Sequence, residues 1–341
     1  MTPYSHDGPS WELDRQTGNP VPDPQGQAPM TRRLRAGVRP RGSDIELPVL
    51  AGETQGMLLG FIGVAIFSLT LPFTRLAVAG LDPLFVAMGR AVAAAVLALC
   101  WLRWKRAPLP ARAQLPTLLA VSVGCVIGFP LLTSLAMRTL PASHGAVLVG
   151  ILPLATALFA ALRGHERPSA GFWCMAAAGS ALVVGFALHQ SGGGLHAADL
   201  AVFAAVGLAA MGYAEGGRLS QTMGGEQVIG WALVLSLPLA APATIWLLWR
   251  DWTSIAAAPA SAWLGFSYVS VFSMFIGFFF WYRGMALGGV ARVGQVQLAQ
   301  PGLSLVAAAV VLNETLQIEH ILFTFAVIAV VGAGKRMKVA R

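Results

Sequence analysis

Apolar residues run through this chain in blocks separated by short polar connections, and the blocks are as long as a bilayer is thick. A hydrocarbon core of about 30 Å takes roughly 20 residues of helix to cross. That ruler marks ten blocks, at 56–78, 83–102, 115–137, 141–162, 169–188, 197–219, 226–249, 260–282, 288–312 and 319–335. They are apolar all round rather than along one stripe, so the expected partner is lipid and neighbouring helices, not water. The pattern predicts an all-α integral membrane protein of ten transmembrane helices, joined by connections such as LDP, LPAS, HERP and QSGGGLH.

Composition agrees: 56% of the 341 residues are hydrophobic and 11% charged, against about 25% charged in a soluble domain. Mean hydropathy is +0.67. Residues 1–55 differ, being rich in Pro, Gly and charge without apolar periodicity, and are expected to form a disordered tail. They contain no apolar stretch with a cleavage site, so no secretory signal is expected. The arginines at 32, 33, 35, 39 and 41 mark a cytoplasmic side and are suited to anionic headgroups. Cys100, Cys125 and Cys174 lie far apart in apolar runs, and neither a disulfide framework nor a metal site is expected.

Charge orients the spans. With the N-terminus inside, Arg103, Lys105, Arg106, Arg112, Arg163, Arg167, Arg218, Arg283, Arg292, Lys335, Arg336, Lys338 and Arg341 are cytoplasmic. Only Arg75, Arg138 and Arg250 fall outside. The positive-inside rule then places both termini, including the short tail 336–341, in the cytoplasm of a multi-pass inner-membrane protein.

The chain also repeats itself. PLATALFAALRGHE (Pro153–Glu166) returns as PGLSLVAAAVVLNE (Pro301–Glu314), with Pro first, Glu last, and Ala160 and Ala161 matched by Ala308 and Ala309. Arg75–Leu76 matches Arg218–Leu219, and Ala136–Met137 matches Ala286–Leu287. The anchors lie five spans apart, which implies two five-helix repeats, 56–188 and 197–335. Five is odd, so the second copy enters the membrane inverted. Such halves can exchange conformations and open a shared site to each side in turn.

Two five-span halves, each with a proline-headed fourth span closed by an acid, resemble the drug/metabolite transporter superfamily with EamA-type halves. PFTRLA and EGGRLS, at the ends of the first and sixth spans, share that pattern. The resemblance implies a compact ten-helix carrier with a central cavity, commonly exporting amino acids or other small metabolites. One departure is Glu215, which stands where the first half has Pro72.

Several residues carry candidate chemistry. Proline within a span frees backbone groups, so Pro153 and Pro301 are expected hinges or structural kinks. Glu166 and Glu314, at span ends, are suited to capping free N–H groups. Glu215 and Arg218 are spaced to pair. Gln297, Gln300 and Ser304 form a polar stripe on the ninth span, suited either to substrate or to interhelical hydrogen bonds. With Tyr213, Tyr268, Arg90 and the Ser68–Arg75 face they make the expected substrate site, an arginine holding a carboxylate. Gly124/Gly128, Gly212/Gly216 and Gly284/Gly288 are spaced for close helix packing.

No GxSxG elbow, HExxH helix or aspartate pair is present, and no enzyme, cofactor or metal is expected. Neither is nucleic-acid binding, because the basic residues sit in the tail and loops. The expectation is a secondary transporter of a small organic solute, an exporter working by alternating access, with proton or other ion coupling as a further partner. A channel, or a structural membrane partner, is the alternative.

Overall fold

The computed structural model describes residues 43–163, 167–190, 195–289, 293–294, 296–335 and 339–340. Expectations resting on Glu166, on most of the N-terminal tail and on Arg292 lie outside these residues. The chain divides into Met1–Glu46 and Leu47–Arg341, and the second unit holds all the spans. Apart from a two-residue antiparallel pairing of Arg167–Pro168 with Val339–Ala340, the described residues of that unit are helical or in turns.

Among the described residues eight helices are long and apolar enough to cross a membrane: Thr54–Val78, Pro83–Trp104, Arg112–Ala136, Ala142–Arg163, Trp173–Gln190, Ala197–Met223, Gly225–Arg250 and Ala260–Gly288. Two shorter apolar helices, Gln297–Leu312 and Ile318–Ala333, follow. We number these ten spans one to ten. In the ninth, Val293, Gly294 and Val296 are helical ahead of Gln297. Its predecessor ends at Gly288, with Gly289 at φ 79°. Span nine then passes through a short 3-10 turn, Gln297–Ala299, before the helix Gln300–Leu312 with Pro301 in its first turn.

Local chemistry sets the span ends. Asp82 caps span two, its Oδ1 accepting from the N–H of Leu84 (2.8 Å) and of Phe85 (3.2 Å), with Pro83 in the first turn. Asp199 Oδ2 reaches back to the His196 N–H (3.0 Å) at the start of span six. Asn313 ends span nine in the left-handed conformation (φ 53°). Exposed Trp104 beside Lys105 ends span two, whereas Trp246, Trp249 and Trp252 around Arg250 end span seven, marking opposite interfaces.

Helix packing respects an exchange of the two halves. Span two lies along span seven, span five along span ten, and the first part of span four against span nine. Span one packs on span eight as span six packs on span three, and span nine meets span one as span four meets span six. Glycines permit the closest approaches. Gly284 lies against the backbone of Gly56 and Gly60, where a Cβ would come within 2.8 Å of Gly56 O and Gly60 N.

Spans three and eight share a feature absent from the sequence reading. Each carries a π-helical stretch in mid-span, Ser122–Gly128 and Tyr268–Gly277. An inserted residue widens the turn and turns the following face, an arrangement frequent at functional sites.

Candidate functional site

Both broken spans restart beside a proline. In span four the helix Ala142–Val149 gives way at Gly150 and Ile151 to Leu152–Arg163, which contains Pro153. Proline has no N–H to give the preceding turn, so the break falls where the ladder is already interrupted. A Cβ placed on Gly150 would stand 3.2 Å from the Pro301 ring, so the two breaks meet.

Beside this junction is a small central cavity of about 20 Å³, room for roughly one water molecule. Its polar lining is Arg90 from span two, Tyr213 from span six, Gln300 from span nine, and Thr70, Cys125 and Ser273. Thr70 and Ser273 share a hydrogen bond of 2.9 Å between span one and the π stretch of span eight. Arg90 is 1% exposed, and its Nε and Nη1 have no hydrogen-bond partner among the described residues. Gln300 Oε1 and Gln297 Nε2 are likewise buried without partners. Unpaired polar groups at this depth cost several kcal/mol together. Among the described residues no acid lines the cavity. Aromatic rings wall its other side: Tyr213 lies 6.3, 5.9 and 5.5 Å from Phe67, Phe278 and Trp281.

A second cavity, of about 1010 Å³, opens at one end of the bundle among the connections after spans one, three, five and nine. We call this the distal face, and the face bearing the start of span one and the end of span ten the proximal face. Arg75 stands in the distal cavity, its Nε 3.5 Å from Glu314 Oε1. It also donates from Nη1 to the carbonyls of Met137 and Leu140. Glu314 in turn accepts from the N–H groups of Ala142 (2.8 Å) and Ser143 (2.9 Å), capping span four from the other half of the chain. Also at this end, His144 Nε2 lies 2.8 Å from Asp199 Oδ1 in a buried pair.

A thin wall separates the two cavities. Leu71 lines the central one and Arg75, one turn on, the distal one. Leu71 and Met137 close over Gly145, where a Cβ would lie 2.8 Å from Met137 Cε and 3.3 Å from Leu71 Cδ1. The proximal side is thicker. Below the aromatic rings, the Tyr282 hydroxyl donates to Gly212 O (3.1 Å). Glu215 there accepts from Arg163 (2.5 Å) and Arg218 (3.2 Å).

Of the residues expected in the substrate site, the fold gathers Arg90, Tyr213 and Gln300 around the central cavity. Ser68 is at its edge, donating to Val64 O (2.8 Å) and reaching Gln300 O (3.5 Å). Gln297 and Ser304 are buried on either side of Gln300. Arg75 is apart, in the distal cavity. Tyr268 is apart too, donating to Ile66 O (3.0 Å) and stacked on Phe73 at 4.1 Å. The Glu215–Arg218 pair forms as its spacing predicts, but Arg163 joins it from span four. Thr70, Phe67 and Phe278 escaped the sequence reading, since hydroxyls and phenyl rings are common in membrane helices and carry no spacing signal.

Comparison with known proteins agrees with this architecture. The profile of the EamA-like transporter family matches twice, over residues 54–187 and 196–333. The chain belongs to the EamA-like transporter family. It is therefore a multi-pass membrane transporter whose two family repeats each span five of the helices described above. It is 50% identical over 283 residues to the uncharacterized transporter YdeK of Bacillus subtilis (strain 168), covering 83% of this chain and 98% of that protein. A protein of known crystal structure shares the fold at 18% identity, with a TM-score of 0.56 over 82% of this chain and 96% of its own.

Proposed function

We propose that this transporter carries a small organic solute across the inner membrane by alternating access, binding it at the Arg90–Tyr213–Gln300 cavity between inverted halves. The observation that carries the reading is that cavity: the buried Arg90 guanidinium and the Gln300 amide oxygen have no hydrogen-bond partner among the described residues, beside the meeting point of both helix breaks. Such groups are tolerated in lipid where a polar ligand completes them. Packing that is preserved on exchanging the halves supports the inverted repeat.

The charge asymmetry puts both termini in the cytoplasm and the distal cavity outside. In that frame the conformation is outward-facing, with Leu71 and Met137 shut over the site. Export is the net direction that the family resemblance implies. Coupling to a proton or another ion belongs to the same reading, with the His144–Asp199 pair as its place. The charged and titratable groups around that pair are His196 beside Asp199, Arg75 and Glu314 from spans one and nine, and His320 across Phe186.

The test is counterflow in proteoliposomes over a panel of organic acids, amino acids and organic cations. A carrier shows saturable uptake accelerated by solute on the opposite side. Non-saturating flux without trans-acceleration would favour a channel instead.

A further inference from the structure

We infer that the substrate is a small apolar or aromatic molecule bearing one carboxylate and no ammonium group, with the carboxylate held by Arg90. The inference rests on the central site proposed above and adds its chemical class. Arg90 is the cation of this cavity, and its Nε and Nη1 together present three N–H bonds to no acceptor. The described residues around it, Tyr213, Gln300, Thr70 and Ser273, are neutral, so none of them balances the guanidinium. A buried charge without a partner is held at a high cost, and an arriving carboxylate removes that cost by forming charge-assisted hydrogen bonds. Two carboxylates would leave one charge uncompensated. An ammonium would meet no acid, and its nearest cation would repel it.

The body of the ligand follows from the walls. Phe67, Phe129, Phe278 and Tyr213 line the same cavity. Rings in that arrangement receive an apolar or aromatic group edge-on or offset. Gln300 lines the same cavity, and its amide, which can turn either its oxygen or its N–H group inward, can donate to the carboxylate beside Arg90. The space of about 20 Å³ is too small for such a ligand in this conformation, so the wall at Leu71 and Met137 must part as it enters.

A matched series tests the class: 3-phenylpropanoate, phenylalanine, 3-phenylpropanamide and 2-phenylethylamine differ chiefly in charge. Binding to the purified full chain is read by thermal shift, and transport by counterflow in proteoliposomes. The expected result is that 3-phenylpropanoate binds at least tenfold more tightly than the other three. Arg90→Gln should erase that preference, leaving acid and amide equivalent. Arg90→Lys, the fallback if Arg90→Gln fails to fold, should keep the preference at lower affinity, because lysine keeps charge without the planar fork. Phenylalanine or the amine binding as tightly as the acid would overturn the class, as would failure of 3-phenylpropanoate to bind. If the class fails while Gln300→Leu still weakens whichever ligand binds best, the central site stands without it. If the acid is preferred but Gln300→Leu and Tyr213→Phe leave its affinity unchanged, the site is misplaced and that reading falls.

Discussion

Gly150 of span four lies against Pro301 of span nine, so the breaks of the two proline-headed helices touch at the centre of the bundle. A Cβ there would stand 3.2 Å from the proline ring and also 2.9 Å from Val147 O and 3.0 Å from Val327 Cγ1. Backbone and a branched side chain cannot retreat as a flexible side chain can. Gly150→Val should therefore destabilise the chain by about 1–3 kcal/mol and slow counterflow. Thermal unfolding of the purified variant, with flux measured per folded molecule, checks both parts.

At the distal end, the order of effects separates cap from ion pair. Glu314 satisfies two backbone N–H groups at the start of span four, while its contact with Arg75 is partly exposed. Glu314→Ala should cost about 1–2 kcal/mol. Arg75→Ala should cost less, because an ion pair that water still reaches contributes on the order of 0–1 kcal/mol. Equal losses in thermal stability would mean that the arginine, with its bonds to Met137 O and Leu140 O, carries as much as the cap.

The proximal cluster is lopsided in the opposite sense. Glu215 is 2% exposed, whereas Arg163 and Arg218 are 64% and 59% exposed. Removing both arginines strands a buried acid, a loss of about 3–5 kcal/mol for an uncompensated buried charge. Glu215→Gln leaves two arginines that rehydrate. The double variant Arg163→Gln/Arg218→Gln should therefore unfold well below Glu215→Gln, and the reverse order would show that the acid is hydrated after all.

Much of this was legible because membrane helices announce themselves by length and apolar content. Prolines at 153 and 301 mark their own breaks, since a missing N–H acts locally. The i, i+3 spacing of Glu215 and Arg218 likewise fixes a contact within one helix. What the sequence hid is set by neighbours. Arg163 reaches Glu215 from another span, and no periodicity records which spans touch. Ser68 and Arg75 share a helical face, yet a face several turns long passes from the central cavity into the distal one, so the two residues serve different places. The π stretches of spans three and eight carry Cys125 and Ser273 to the central cavity, a turn of the face that a 3.6-residue period does not foresee.

The wall between the cavities makes its own prediction. Leu71 is buried and packs over Gly145 beside Met137. Leu71→Ala should cost about 2–5 kcal/mol, as buried leucine truncations do, and open a path from the distal cavity to the centre. A rise in reactivity of Cys125 toward a thiol reagent applied at the distal face would report that path, and unchanged reactivity would place the wall elsewhere.

Cys125 also tests the central claim most directly, since it is buried and lines the central cavity. Replacing exposed Cys100 and Cys174 with Ser leaves it as the sole thiol. In proteoliposomes of known orientation, a membrane-impermeant maleimide is then applied to one face at a time. Alternating access predicts slow modification of Cys125 from either face, and protection from both by a bound substrate. Modification from one face only, or from neither, would contradict it.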